Sequence, residues 1–315
     1  MKNIAFLFPG QGSQFVGMAK AIYEGSSEVK AIFEEANSIL GRDLKGLMFE
    51  GPNDELDLTR NAQTALLVAN YACLTALTDI IDIKPAVYAG HSLGEFSALV
   101  AAGALSFADA LRLVDLRGKF MQEAVKVGEG KMCAVLGLGT VDLDNICAEA
   151  STDDSIVVVA NINCPGQVVI SGHTSAVERA SEAALKAGAK RAIILKVTVP
   201  SHSPLMEGAS AKLAEVMAGI EFKEMQVPVV TNVEAALLDD YSRAPELLCR
   251  QLVSPVRWVE SIELMKSNGI TAMIEVGPGK VLTTLIKRID PDIEIFKAGE
   301  PKDLEALAKV LKEEL

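Results

Sequence analysis

Residues 86–97 read A-V-Y-A-G-H-S-L-G-E-F-S, an apolar run that ends in the pattern Gly-x-Ser-x-Gly. The run Ala86–Ala89 is typical of the end of a buried strand, and Leu93–Ala102 has the spacing of a helix that Gly103 would close. So sharp a turn from strand to helix is a nucleophile elbow, whose two glycines are needed because side chains there would clash with the strand and the helix. The stretch therefore predicts that the hydroxyl of Ser92 is presented at the turn.

The alternative interpretation of Ser92 is a plain tight turn, since chance matches to this five-residue pattern are common. A reactive serine is favoured because a strand pattern precedes the turn and a helix pattern follows it. The N-terminus of that helix would direct its free N–H groups and the positive end of its dipole toward an oxyanion formed at the serine.

Strand-like runs alternate with amphipathic segments along the chain. This order predicts an α/β fold, with a large α/β-hydrolase-like lobe whose mostly parallel sheet is covered by helices. The runs assigned to this sheet are Ile4–Phe8, Ala86–Ala89, Val229–Asn232 and Ala272–Val276.

A second pattern occupies residues 128–197, where segments follow in the order β-α-β-β-α-β of a ferredoxin-like unit. Its strand-like runs are Lys131–Leu138, Ser155–Ala160, Gln167–Ser171 and Arg191–Val197, and its helical ones are Val141–Ala150 and Ser175–Gly188. We therefore expect an inserted ferredoxin-like subdomain at 128–197 and a large catalytic subdomain made of 1–127 and 198–315. The chain would cross between them at Val125–Gly130 and Thr198–Pro200, with the site in the cleft.

The composition limits the classes of function. The 315 residues are 50% hydrophobic with a formal net charge of −12, and so acidic a chain is not expected to bind nucleic acid. No apolar stretch approaches the roughly 18 residues that cross a bilayer, and the first residues read as a strand and not as an export signal. Five scattered cysteines without a C-x-x-C pair and only three histidines favour the cytoplasm and argue against a metal site.

A serine nucleophile needs a base within hydrogen-bond reach. His91 adjoins Ser92 and should point away across the turn, and His173 starts a helix of the inserted unit, where a cap or surface role is expected. His202 lies in V-P-S-H-S-P-L-M at 199–206, whose prolines disfavour regular structure and place it on a stiff loop at the cleft. By elimination His202 is the predicted base, and a satisfied loop histidine is the alternative.

Arg117 is a charged residue on an apolar helix face. The helix predicted at Ser106–Val125 begins at an N-cap serine with Asp109 three residues on. The neighbours of Arg117 at three and four positions are all apolar: Leu113, Val114, Phe120 and Met121. A guanidinium there needs an anionic partner because an unpaired buried charge is very costly. A structural carboxylate and a bidentate clamp for a substrate carboxylate both satisfy this need.

Two glycine-rich segments do not support a nucleotide cofactor, and no cofactor is predicted. The motif at 8–15 ends in Phe15 where the dinucleotide fingerprint needs its third glycine, and G-P-G-K at 277–280 lacks the other residues of a phosphate loop. The first segment instead carries Gln11 and Gln14 at the carboxyl end of a strand, where open α/β sheets place ligands. Either amide could donate to an oxyanion or hold the loop.

Several linked motifs closely resemble the malonyl-CoA:acyl carrier protein transacylases of bacterial fatty-acid synthesis. In chain order they are P-G-Q-G-S-Q at 9–14, N-A-Q-T-A-L at 61–66, G-H-S-L-G-E-F-S-A-L at 90–99, L-R-G-K-F-M-Q at 116–122, V-P-S-H-S-P-L-M at 199–206, V-T-N-V at 230–233, Q-L-V-S-P-V-R-W at 251–258 and E-V-G-P-G-K-V-L at 275–282. The match runs from end to end, which is far more specific than the elbow alone.

The resemblance implies a ping-pong mechanism with malonyl-CoA and holo-acyl carrier protein as partners. Ser92 attacks the malonyl thioester with His202 as base, and the thiol of the carrier protein later attacks the malonyl-serine ester. The resemblance also implies that the backbone N–H groups of Gln11 and Leu93 hold the oxyanion, while Arg117 binds the free malonyl carboxylate. A monomer without cofactor is expected.

The family pattern assigns three further residues to the substrate site. Gln63 and Met121 match positions that line the acyl pocket, and Gln251 matches a glutamine beside which a backbone carbonyl orients the histidine. The stand-alone enzymes of fatty-acid synthesis carry serine immediately before the histidine, as Ser201 does here, whereas related malonyl-selective polyketide enzymes often carry phenylalanine. Rejection of a methylmalonyl group is therefore open, since one methyl group is worth only about 1–3 kcal/mol.

Two other functions remain as alternatives. The first is an acyltransferase or acyl hydrolase that serves a polyketide synthase. An ordinary α/β hydrolase, however, places its histidine near the C-terminus after an aspartate and carries an H-G-G-G-type loop, and this chain does neither. The second is a silent carrier-docking module, against which the joint presence of Ser92, His202 and Arg117 argues.

Overall fold

The computed structural model describes the backbone of residues 3–197 and 199–314, so Thr198 in the second predicted crossing lies outside the described residues. Its strands are β1 (Ile4–Phe8), β2 (Val87–Gly90), β3 (Gly130–Leu136), β4 (Val157–Cys164), β5 (Gln167–His173), β6 (Arg191–Ile194), β7 (Val229–Val230), β8 (Ala272–Glu275) and β9 (Glu294–Lys297). They form two separate sheets.

The helices cover both sheets. In chain order they are α1 (Lys20–Gly25), α2 (Ser27–Leu40), α3 (Leu44–Glu50), α4 (Asn53–Leu56), α5 (Thr59–Ile80), α6 (Gly94–Ala101), α7 (Phe107–Ala124), α8 (Thr140–Ala150), α9 (Thr174–Lys186), α10 (Glu207–Met217), α11 (Ala244–Val253), α12 (Trp258–Ser267), α13 (Val281–Ile289) and α14 (Pro301–Glu314). Short 3₁₀ turns lie at Pro204–Met206 and Tyr241–Arg243. Within the described chain, no helix is long and apolar enough to span a membrane.

The large sheet is parallel, with the strand order β7-β2-β1-β8-β9. Its central strand β1 is buried at every position, because helices cover both of its faces. Successive side chains of a strand point to opposite faces, so Phe6 and Phe8 join one apolar core, and Ala5 and Leu7 join the core on the other face with Trp258. The predicted parallel, two-sided sheet is confirmed.

Two strands of this sheet differ from the prediction. The run predicted at Val229–Asn232 forms a strand only at Val229–Val230, because Thr231 and Asn232 leave the ladder. The edge strand β9 was not predicted. Its four residues are only half-buried, and a short, half-buried edge strand carries little apolar pattern.

The second sheet has the antiparallel order β4-β5-β3-β6, with α8 and α9 completing the predicted β-α-β-β-α-β arrangement. Backbone hydrogen bonds join this sheet to the large lobe. The N–H of Ile162 donates to the carbonyl of Val256 at 2.9 Å, and the N–H of Val256 donates to the carbonyl of Ala160 at 2.9 Å. We propose 128–197 as the bounds of this subdomain.

Candidate active site

The elbow predicted at Ser92 lies between β2 and α6. The φ of Ser92 is 51°, a left-handed conformation that non-glycine residues seldom adopt and that marks a strained, functional turn. A Cβ added at Gly90 would lie 1.9 Å from the carbonyl carbon of Gly94, and one added at Gly94 would lie 2.0 Å from the carbonyl oxygen of Phe8. Both glycines are therefore required because the turn, the helix and β1 approach so closely.

Asn232 supports the elbow from the end of β7. Its side-chain oxygen accepts the backbone N–H of Ser92 at 2.6 Å, and its Nδ2 donates to the carbonyl of Gly90 at 2.7 Å. The departure of Asn232 from the sheet thus serves to place an amide beneath the turn. Asn232 lies in the motif V-T-N-V at 230–233, but no local pattern marks it as a residue that supports the elbow.

His202 lies against the serine hydroxyl. Its Nε2 is 2.9 Å from Ser92 Oγ, and its Nδ1 donates to the backbone carbonyl of Gln251 at 2.7 Å. The carbonyl selects the tautomer that leaves Nε2 unprotonated and facing the serine. Burial, followed by the charge of Arg117, lowers the pKa of His202 to about 3. The imidazole is therefore neutral at pH 7, the form that a general base requires.

The other two histidines lie away from this contact. Nε2 of His91 is 2.9 Å from Oδ1 of Asn163, and its ring packs edge-on against Trp258. His173 precedes α9 and accepts the backbone N–H of Ile156 at 3.0 Å. Elimination among the three histidines therefore leaves the same residue that the geometry places at the serine.

Arg117 is 1% exposed, and α7, which begins after the Ser106 cap, carries it into the site. One terminal nitrogen, Nη1, donates to Oε1 of Gln63. The other, Nη2, donates to Oε1 of Gln251 at 3.0 Å and to Ser92 Oγ at 3.3 Å. No carboxylate in the described residues forms an ion pair with it. Neutral amide oxygens hold the guanidinium instead, and the clamp for a substrate carboxylate stays a prediction.

Two residues complete the surroundings of Arg117. Gln63 directs its Nε2 to the Sδ of Met121 at 3.4 Å, which turns its oxygen toward the guanidinium.

Burial lowers the pKa of Arg117 to about 10, and the charge of Glu95 opposes that effect. Arg117 is therefore still a cation at neutral pH, and no carboxylate of the described residues is its direct counterion.

Glu95 is a buried carboxylate that the sequence analysis did not consider. It is 2% exposed, and burial raises its pKa to about 7 against the hydrogen bonds that it accepts. A single carboxylate within the apolar segment Leu93–Ala102 is the same kind of signal as Arg117 on its apolar face, and it could have revealed this residue.

The loop after β1 runs beside the elbow. A Cβ added at Gly10 would lie 2.2 Å from the carbonyl of His91 and 3.7 Å from the backbone nitrogen of Leu93, so the backbone around Gln11 approaches the first turn of α6. The side chain of Gln14 accepts the N–H of Gly12 at 2.7 Å and donates to Asp57 at 2.8 Å. The side chain of Gln11 donates to Thr59 Oγ1 at 3.5 Å, so both amides contact neighbouring residues, with the shorter hydrogen bonds at Gln14.

A cavity of about 450 Å³ opens over these residues, and both lobes contribute to it. The large lobe supplies the serine, the histidine and Arg117, while the small sheet contributes Met132, Asn161 and Val169. The volume is within the range of small-ligand sites. No cluster of histidine, cysteine, aspartate or glutamate suited to a metal ion occurs among the described residues.

The depressed pKa of His202 makes a prediction about pH dependence. For acylation of Ser92, kcat/KM is expected to stay level as the pH falls through 6.5, the ordinary pKa of histidine, because the buried imidazole remains an unprotonated base until much lower pH. Steady-state loading rates, with circular dichroism to verify folding at each pH, test this. A midpoint near 6.5 in kcat/KM would contradict the assignment of His202 as a neutral buried base.

Comparison with known proteins gives one consistent result. The family model named acyl transferase domain matches residues 5–292. The malonyl CoA-acyl carrier protein transacylase of Bacillus subtilis (strain 168) is 48% identical over 314 residues, covering 100% of this chain and 99% of that protein.

Solved structures agree. That of the malonyl CoA-acyl carrier protein transacylase from Coxiella burnetii matches with a TM-score of 0.95 and 43% identity, covering 98% of this chain and 97% of that one. The malonyl-transacylase PlMCAT, solved in complex with the type II polyketide synthase acyl-carrier protein AntF, matches with a TM-score of 0.95 and 44% identity, covering 98% and 99%. The elbow, the buried histidine and this similarity along the whole length place the chain in the family of malonyl-CoA:acyl carrier protein transacylases.

Proposed function

We propose that this protein transfers the malonyl group from malonyl-CoA to the phosphopantetheine thiol of holo-acyl carrier protein, which supplies extender units for fatty-acid synthesis. The observation that carries the proposal is Arg117, a buried cation 3.3 Å from Ser92 Oγ that amide oxygens hold without a carboxylate. A site of this kind is complementary to an acyl group with its own free carboxylate.

Loading begins when Ser92 Oγ attacks the thioester carbonyl carbon and His202 Nε2 accepts the hydroxyl proton. The backbone N–H groups of Leu93 and Gln11 would stabilise the oxyanion, since donors already directed at the developing charge need no reorganisation. The carbon–sulfur bond then breaks, His202 returns the proton to the sulfur, and CoA leaves with its thiol. The malonyl group stays as an ester of Ser92.

Transfer reverses these steps with a second thiol. His202 accepts the proton of the phosphopantetheine thiol, and the thiolate attacks the ester carbonyl. The ester bond to Ser92 breaks, its oxygen takes the proton back from His202, and the malonyl thioester leaves on the carrier protein. The carbonyl of Gln251 holds the imidazole throughout, where serine hydrolases use an acid.

Basic side chains in and beside the cavity suit an acidic carrier protein. Lys196 lines the cavity, and Arg288 donates to Oε1 of Gln167, another lining residue, at 3.1 Å. Opposite charges at an interface speed association and select partners. The relative PlMCAT was solved in complex with a carrier protein, which supports a carrier protein as the partner of this chain. We also propose a cytoplasmic monomer that binds neither nucleic acid nor membrane.

Mass spectrometry of the intact protein and of its peptides tests the proposal. Brief exposure to malonyl-CoA is expected to add one malonyl group, located on the peptide that contains Ser92, and holo-carrier protein is expected to remove it. Acetyl-CoA should load far more slowly, since the acetyl group offers no anion to Arg117. Absence of the malonyl adduct would contradict the transfer mechanism, and loss of the adduct to water without carrier protein would favour the hydrolase alternative.

A further inference from the structure

Glu95 is a buried carboxylate that takes no part in the transfer steps above. It lies on the first turn of α6, three residues after the nucleophile. One oxygen, Oε2, accepts Nε2 of Gln251 at 2.7 Å and the backbone N–H of Asn232 at 3.1 Å. A buried carboxylate is costly unless its hydrogen bonds serve the structure, so these contacts need an explanation.

The first contact determines how the amide of Gln251 is oriented. Gln251 is fully buried, and its two amide hydrogens go to Glu95 Oε2 at 2.7 Å and to the backbone carbonyl of Ser92 at 3.0 Å. With both hydrogens committed, the amide oxygen must face Arg117, whose Nη2 it accepts at 3.0 Å. A flipped amide would place its NH₂ group against the guanidinium, donor against donor.

Glu95 does not bind Arg117 itself. Its contact with the guanidinium runs through Gln251, and its charge favours the charged form of Arg117 against burial. An acid bonded directly to Arg117 would occupy the donors that a substrate needs. The amide between them supports the cation while leaving its charge available to a ligand.

We propose that Glu95 is a positioning residue that fixes the amide of Gln251 and thereby holds Arg117 in place for the substrate carboxylate beside Ser92. This inference rests on the proposed malonyl transfer. It assigns the selectivity for a carboxylated acyl group to a hydrogen-bonded chain from Glu95 through Gln251 to Arg117, and not to Arg117 alone.

Two conservative variants of Glu95 separate the position of its acceptor oxygen from its negative charge. Glu95→Gln keeps an acceptor oxygen at the same distance from the backbone and removes the charge. Glu95→Asp keeps the charge and withdraws the carboxylate by one methylene, roughly 1.5 Å, which breaks a hydrogen bond of 2.7 Å. Glu95→Ala removes both the charge and the acceptor. Glu275→Gln is the matched control, since Glu275 is also fully buried but accepts from Leu282 and Thr283 on α13.

The readout is the ratio of malonyl to acetyl loading rates on Ser92, per folded molecule, measured by quenched mass spectrometry of the full-length enzyme. We expect this ratio to fall at least about tenfold in Glu95→Asp and Glu95→Ala, the effect of losing a hydrogen bond that orients a charged group. In Glu95→Gln it is expected to stay within about threefold of wild type or to rise, because the acceptor remains. Glu275→Gln should leave the ratio unchanged.

The outcomes are separable. A merely structural role for Glu95 would lower the folded fraction and slow both acyl groups equally, so an unchanged ratio in Glu95→Asp overturns the inference. A ratio in Glu95→Gln as low as in Glu95→Asp also overturns it, since charge and not the hydrogen bond to Gln251 would then matter. If the wild-type protein forms no malonyl-Ser92 adduct, the proposed function itself fails.

Discussion

Ser92→Ala is expected to lower kcat/KM for malonyl transfer by on the order of 10⁴- to 10⁶-fold, the loss seen when a serine nucleophile with its base is disabled. The physical reason is that the hydroxyl 2.9 Å from His202 Nε2 is the nucleophile proposed to form the ester, and alanine removes it. Rate assays with malonyl-CoA and holo-carrier protein, together with intact mass, measure both the rate and the adduct. The adduct should vanish.

The serine and the histidine should behave as one unit. His202→Ala is expected to produce a loss of similar size, and the double variant should be little worse than either single one, because removing one member already disables the other. Ser210→Ala is the matched control: this serine of α10 donates to the carbonyl of Cys249 on α11, neither residue lines the cavity, and the substitution should not change the rate. Additive losses in the double variant would contradict the direct proton transfer.

Arg117→Ala is expected to lower malonyl loading by about 10²- to 10⁴-fold, since two charge-assisted hydrogen bonds to the malonyl carboxylate are lost. Acetyl loading should stay the same or rise, because an acetyl group makes neither bond. The preference for malonyl should therefore collapse. Competition between malonyl-CoA and acetyl-CoA for Ser92, followed by mass spectrometry, measures the ratio.

Two variants serve as controls for Arg117. Arg112→Ala removes a half-exposed arginine from the same helix, where it pairs with Asp109, and should change neither rate. Arg117→Lys keeps the charge without the planar fork and should give an intermediate preference. If Arg117→Ala retains the malonyl preference of wild type, the carboxylate clamp is wrong.

Local patterns allowed much of the fold to be predicted. The strand predicted at Ile4–Phe8 is the observed β1, because a short unbroken apolar run followed by a Pro-Gly turn is typical of a strand covered on both faces. The N-cap at Ser106 was also readable, since its side chain accepts the N–H of Asp109 three residues on. Both signals lie within a few residues of the feature that they specify.

Features that depend on distant partners were less accessible. Strand β7 ends at Val230, two residues earlier than predicted, because Asn232 binds the elbow. Nothing in residues 229–232 themselves indicates that contact. Glu95 could be noticed from its apolar segment, but its contacts could not, because its partners Gln251 and Asn232 come from elements that only the folded sheet brings together.

The sequence by itself determined that a serine stands in a sharp strand-to-helix turn, since the pattern Gly-x-Ser-x-Gly places glycine at the two positions where no side chain fits. It also determined, by elimination, which histidine could serve as base. Arg117 shows where such reading ends, since its helix face alone was compatible with a structural carboxylate or a substrate one. Only the tertiary structure shows what surrounds this charge: Gln63 and Gln251 come from separate helices to hold the guanidinium, and no carboxylate among the described residues pairs with it. Local periodicity reports burial, whereas the partner of a buried charge depends on which helices the sheet packs together.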